Sequence, residues 1–217
     1  MPRNRVQGEW PILNSAEIEA FWQRNPCGET LVGGLDHYHG DHEAFFAAYD
    51  ALRYSKEPHI LRCLDAIDLK GKQVLEIGLG LGADAEQLIR RGAKWSGVDV
   101  TAKSIERVQA RLKVRNLPFE NLRQGSALSI PFADNTFDVI FSHGVLHHVP
   151  EVQKAQRELW RVLKSDGELV VMLYARWSLH YLRSISLLRR LGLIGLYVAG
   201  RDWDGIVGEH LANARRM

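Results

Sequence analysis

Gln73-Val74-Leu75-Glu76-Ile77-Gly78-Leu79-Gly80-Leu81-Gly82 decides how the chain is read. Five residues of mostly apolar character give way to three glycines at alternate positions, the pattern of a strand that ends in a sharp turn. A helix is expected through Asp84 to Arg91, and Gly92 fits its C-terminal stop. Glycine lacks a Cβ, so such a turn lets the backbone approach a ligand closely while the helix N-terminus offers its first amides. Taken alone, the run also reads as a tight strand-to-helix turn with no ligand.

Outward from this turn the same alternation recurs. Ala93 to Val98 reads as a second strand closing on Asp99, and Thr101 is placed to cap the next helix. Ile105, Val108 and Leu112 recur there at helical spacing, with a charged opposite face, until Asn116 and Pro118 stop it. A short third strand is expected near Leu122, a turn over Pro131 to Asn135, and a fourth strand over Phe137 to Ser142. Glu151 to Leu163 has helical spacing, Lys164-Ser165-Asp166-Gly167 reads as a turn, and Glu168 to Leu173 as a fifth strand. Short apolar runs alternating with helices predict an α/β fold, a doubly wound, mostly parallel sheet flanked by helices.

The 217 residues suit a single domain, with 1–55 as an N-terminal helical lid, 56–175 as a ligand-binding core and 176–217 as a helical C-terminal segment. Helices are expected over Ala16 to Arg24 and Asp41 to Arg53, and an amphipathic stretch over Leu179 to Leu196. Apolar residues at 46% and charged residues at 25% are those of an ordinary globular protein. A formal net charge of +2 argues against nucleic acid as a partner, although Arg176, Arg183, Arg189 and Arg190 form a local basic cluster. Cys27 and Cys63 are too few for a disulfide framework and lack zinc-binding spacing. With no secretory pattern and no apolar run of about 18 residues, a cytoplasmic location is expected.

Asp99, at the end of the second strand, stands where an acid can accept the ribose hydroxyls of an adenosine. The spacing Glu-x-Gly-x-Gly-x-Gly differs from the dinucleotide fingerprint, whose third glycine lies one position later. An acid two residues before the first glycine repels a pyrophosphate and suits a ligand with an ammonium and a sulfonium, so Glu76 favours S-adenosylmethionine over NAD.

With these residues in hand, VLEIGLGLG (74–82), GVDVT (97–101), LSIPFADNTFDVIFSHGVLHHV (128–149) and ELWRVLKSDGELVVMLY (158–174) resemble the successive motifs of class I S-adenosylmethionine-dependent methyltransferases. The resemblance covers about residues 56 to 175. It implies a Rossmann-like fold, with Glu76, Gly78, Gly80 and Gly82 around the methionine moiety of S-adenosylmethionine and Asp99 on the ribose hydroxyls. Val100, Ser126, Ala127 and the backbone at His143 and Gly144 are also implied to meet the cofactor. Gly125-Ser126-Ala127 stands where relatives often have Gly-Asp-Ala, so the adenine amino group loses a carboxylate partner. Relatives also continue the sheet after the fifth strand with an antiparallel pair, and no convincing pair follows Tyr174. The expectation is a truncated chain or a sheet completed otherwise.

Methyl transfer needs little beyond positioning, because the sulfonium is already activated. His147 and His148 are the weak candidates for a general base, with a structural role favoured. Asp36-His37-Tyr38-His39-Gly40-Asp41-His42 could be a metal loop, but it is better read as part of the lid, and no metal is expected. Tyr49 to Tyr54 could pack on the cationic cofactor, whereas Trp10, Phe21 and Trp22 are expected to anchor the lid rather than to touch substrate. The favoured partner is a small-molecule acceptor. A lipid-like or membrane-borne acceptor is possible through the arginine-rich segment but not favoured, and oligomeric state is not legible. A cofactor-binding protein without turnover and a nicotinamide-dependent oxidoreductase are the alternatives.

Overall fold

The computed structural model describes residues 15–25 and 28–173. Three helices come first: α1 Ser15–Arg24, α2 His42–Lys56 and α3 His59–Asp65. Asp41 caps α2, its side chain accepting from the Ala44 amide at 3.0 Å. The α/β part then runs β1 Gln73–Ile77, α4 Ala83–Arg90, β2 Lys94–Asp99, α5 Ala102–Val114, β3 Asn121–Gln124, β4 Phe137–His143, α6 Val152–Val162 and β5 Leu163–Met172.

The five strands form one sheet in the order β3-β2-β1-β4-β5, and every neighbouring pair is parallel. Successive side chains of a strand face opposite sides, so each central strand feeds two cores. Val74, Val139 and Phe141 join Leu88, Trp95, Val108 and Leu112 on one face. Leu75, Ile77 and Ile140 join Val98, Leu159 and Val162 on the other. A third cluster of Phe45, Phe46, Tyr49, Leu81 and Ala83 seats α2 on the glycine turn.

Three features depart from the expectations. The expected turn at 164–167 lies within β5, which begins at Leu163 directly after α6. Phe137 pairs with Leu163 and Val139 already pairs with Glu168, so the intervening residues bulge out of the ladder. Lys164 binds the Asp138 carboxylate at 2.7 Å across the irregularity. Helix α3 was not foreseen. The charged face of α5 is not wholly solvated either: Arg111 is 0% exposed and binds the Leu81 carbonyl, Asp50 and Glu86 at 2.8, 2.9 and 3.0 Å.

Trp10, Cys27, the basic cluster of Arg176 to Arg190 and the question of further strands lie outside the described residues. Among the described residues, no helix is long and apolar enough to cross a membrane.

Candidate active site

In an open parallel sheet, ligands bind beyond the carboxyl ends of the strands where the strand order reverses. Here that point lies between β1 and β4. A cavity of about 1130 Å³ including its mouth opens there. The ends of β1, β2 and β4 line it, and α1 and α2 supply the opposite wall.

The floor is the glycine turn, of which Gly78 and Gly80 line the cavity while Gly82 faces Val108 and Arg111 of α5 instead. Gly78, Gly80 and Gly82 have φ of 78°, 53° and 75°, backbone that L side chains resist. A Cβ on Gly78 would stand 2.2 Å from Cγ2 of Val145, so the position also needs the absence of a side chain. The Gly78 amide donates to the Val98 carbonyl at 2.9 Å, tying the turn to β2.

Asp99 and Val100 line the cavity, with Asp99 only 8% exposed. The Asp99 Oδ2 accepts from the Leu79 amide at 2.7 Å. Its Oδ1 accepts from the amide and the hydroxyl of Thr101 at 2.9 and 2.8 Å. A carboxylate offers about four acceptor positions, so roughly one remains for a ligand hydroxyl. Ser126 and Ala127 form a neighbouring wall, where the Ser126 hydroxyl accepts from the Leu128 amide at 3.1 Å and is in part a turn cap. His143 and Gly144 close the β4 side.

Glu76 is placed otherwise than its spacing suggested. It is absent from the cavity wall and 2% exposed, accepting a hydrogen bond from the Trp95 indole at 2.9 Å. Burial, reinforced by the nearby Asp84 charge, pushes its carboxyl well above the usual range. Its carboxyl thus faces the core and not the cavity. The physical reason is strand parity: Glu76 shares the face of Val74, which carries Trp95.

Besides Asp99, the charged groups on the wall are Asp84, in the first turn of α4, and Arg53 of α2. Arg53 binds both carboxylate oxygens of Asp84, through Nε at 3.2 Å and through its Nη2, and Tyr54 donates to the same carboxylate at 3.2 Å. Neither Arg53 nor Asp84 carries a motif of its own, and 31 residues separate them. Tyr49 also reaches the wall, whereas Tyr54 does not.

Of the two candidate bases, His148 lines the cavity and His147 does not. Burial, and then the neighbouring His148, lowers His147 to about 4, which keeps it neutral near pH 7. His143 is also lowered, by burial first and by the Arg53 charge, against the opposing pull of Asp84. Trp22, read from the sequence as an anchor, lines the mouth and meets His148 edge-on, with ring centroids 5.2 Å apart. The Asp36–His42 loop goes to packing and capping: Tyr38 lies against Phe45, His42 against Phe46, and Asp41 caps α2.

A doubly wound parallel sheet, a glycine turn after β1 and an acid closing β2 define a nucleotide-cofactor α/β domain. Residues 75–171 match the family described as methyltransferase domain. The chain is 35% identical over 100 residues to the uncharacterized methyltransferase YcgJ of Bacillus subtilis (strain 168), covering 46% of this chain and 40% of that protein. The YcgJ crystal structure superposes with a TM-score of 0.50 at 32% identity, covering 52% of this chain and 49% of that one. Identity is 34% over 106 residues to phthiotriol/phenolphthiotriol dimycocerosates methyltransferase 1 of Mycobacterium ulcerans (strain Agy99), covering 48% and 38%. A proposed S-adenosyl-L-methionine-dependent methyltransferase from Methanococcus maripaludis shares the fold, with a TM-score of 0.51 at 24% identity over 56% of this chain and 59% of that one. Residues 75–171 thus belong to the class I S-adenosylmethionine-dependent methyltransferases. The chain spans about two fifths of the length of these curated relatives.

Proposed function

We propose that the chain transfers a methyl group from S-adenosylmethionine to a small-molecule acceptor by in-line displacement. The observation that carries this reading is the shared cavity wall of Gly78, Gly80, Asp99, Ser126 and His143. The fit of the cofactor rests on the Gly78 cradle, which a Cβ would fill, and on the acceptor position left on Asp99.

When bound, the cofactor supplies an already activated methyl on its sulfonium. Asp99 accepts a ribose hydroxyl while holding the glycine turn in shape. Ser126 and Ala127 border the adenine, with the Ser126 hydroxyl in place of a carboxylate. Asp84 and Arg53 offer a carboxylate and a guanidinium to the amino-acid end, a charge complement on the wall that Glu76, turned into the core, does not provide. Helices α1 and α2 act as the lid over this cavity. The acceptor enters past Ile18, Trp22, Leu128, Val149 and Pro150, so its body is apolar. Where an acceptor gives up a proton, His148 is the imidazole on the wall to receive it.

Calorimetric titration with S-adenosylmethionine, S-adenosylhomocysteine and NAD tests this. Saturable binding of the first two alone is expected. Binding of NAD, or no binding by a folded sample, would overturn the reading.

A further inference from the structure

A second group of side chains converges where α2, α3 and the tip of β4 meet. Glu57 follows the last turn of α2, His59 opens α3 and His143 ends β4. One donor atom from each lies within 4.8 Å of the other two. Glu57 and His143 are half-buried and His59 is exposed, so the cluster is reachable from solvent.

Arg53 occupies only part of this group. It donates to Oε2 of Glu57 at 3.2 Å and meets Nδ1 of His143 at 3.3 Å, while its bidentate partner is Asp84. These contacts use Oε2 of Glu57 and Nδ1 of His143 and leave the other donor atom of each side chain without a hydrogen bond from the guanidinium. The His143 Nε2 is buried and has no hydrogen-bond partner, which is costly for a polar atom unless something binds it. The single Arg53 charge also faces two carboxylates, Asp84 and Glu57, so the local balance has room for a cation.

We propose that Glu57, His59 and His143 bind a divalent transition-metal ion of the zinc or cobalt class beside the cofactor cavity. Two imidazoles and one carboxylate suit such an ion, whereas magnesium and calcium favour oxygen ligands. Donors around an ion at about 2.0–2.2 Å stand well inside the 4.8 Å that bounds these three. The exposed His59 side chain supplies the closure. The ion ties the α2–α3 junction to the end of β4. This inference does not depend on the identity of the cofactor.

The test uses the full chain, freed of metal and of any affinity tag, titrated with cobalt(II) and followed by visible absorption, then challenged with zinc. One equivalent of cobalt, displaced by zinc, is expected. His59→Gln and Glu57→Gln should each weaken binding by more than the about 10–100-fold that loss of an outer-shell partner costs. Circular dichroism confirms folding, and S-adenosylhomocysteine titration of the same variants reports on the cofactor site separately. No stoichiometric binding by folded wild type, or binding untouched by both substitutions, overturns the proposal.

Discussion

At Asp99 the carboxylate that faces the cavity also holds the glycine turn, because Leu79 donates to one oxygen and Thr101 donates twice to the other. Asp99→Ala therefore acts on ligand and fold together. Loss of one hydrogen bond to a charged acceptor, about 1.5–3 kcal/mol, corresponds to roughly 10- to 150-fold weaker S-adenosylhomocysteine binding by calorimetry. The denaturation midpoint should fall in parallel. At Gly78, substitution by Ala forces a Cβ against Val145 and costs about 1–2 kcal/mol for the left-handed backbone alone. Adding Val145→Ala removes the two nearest atoms but leaves the Cβ of residue 145 at 2.9 Å and the backbone strain in place, so stability recovers only in part. His147 makes a prediction about pH. It stays neutral to about 4 in the fold but takes a proton near 6.5 when unfolded. The unfolded chain thus binds more protons between these values, and stability falls as pH drops from 7 towards 4. Urea titrations at several pH values should show a shallower fall for His147→Asn.

At the scale of elements, α5 has the clearest local signature. Thr101 accepts from the Ser104 amide at its start, and Asn116, with φ of 50°, breaks the chain direction after its end. Thr101→Ala removes the cap and should cost about 1 kcal/mol of stability by thermal melting, with weakened cofactor affinity because Asp99 loses the Thr101 hydroxyl as a donor and keeps only the Thr101 amide on that oxygen. Caps and left-handed turns are legible because they depend on a few adjacent residues. Helix α3 is not: it has seven residues, with only Ile60 and Leu64 buried, too short a span for a period to show. The start of β5 was misplaced for a related reason. Lys164-Ser165-Asp166-Gly167 has turn composition, and the sheet absorbs it as a bulge because Phe137 and Leu163 still pair beyond it.

At the scale of the whole molecule, Arg111 joins α5 to α2 through Asp50, to α4 through Glu86 and to the glycine turn through Leu81. It also lies over the Phe46 ring at 4.5 Å. Arg111→Ala would open a void and leave Asp50 with Arg115 at 3.8 Å and Glu86 with Arg90 at 2.8 Å and Arg115 at 3.7 Å, so the expected loss by denaturant titration is about 3 kcal/mol, the lower end for a broken buried pair. No periodicity argument could find this residue, since a helix period places an arginine among charges on the outer face. Only the arrival of α2 over α5 buries it.

By itself, the sequence determined the sheet, the glycine turn and the acid closing β2, because period-two runs, positive φ and helix caps are local properties of adjacent residues. Tertiary structure alone decided which side chains share the cavity. It set the Trp95 indole against Glu76, brought Arg53 to Asp84, moved Trp22 to the cavity wall beside His148 and left His147 off that wall. Each of these depends on the packing of helices α1 and α2, and of the strand faces, across many residues of chain, and no local pattern encodes that distance.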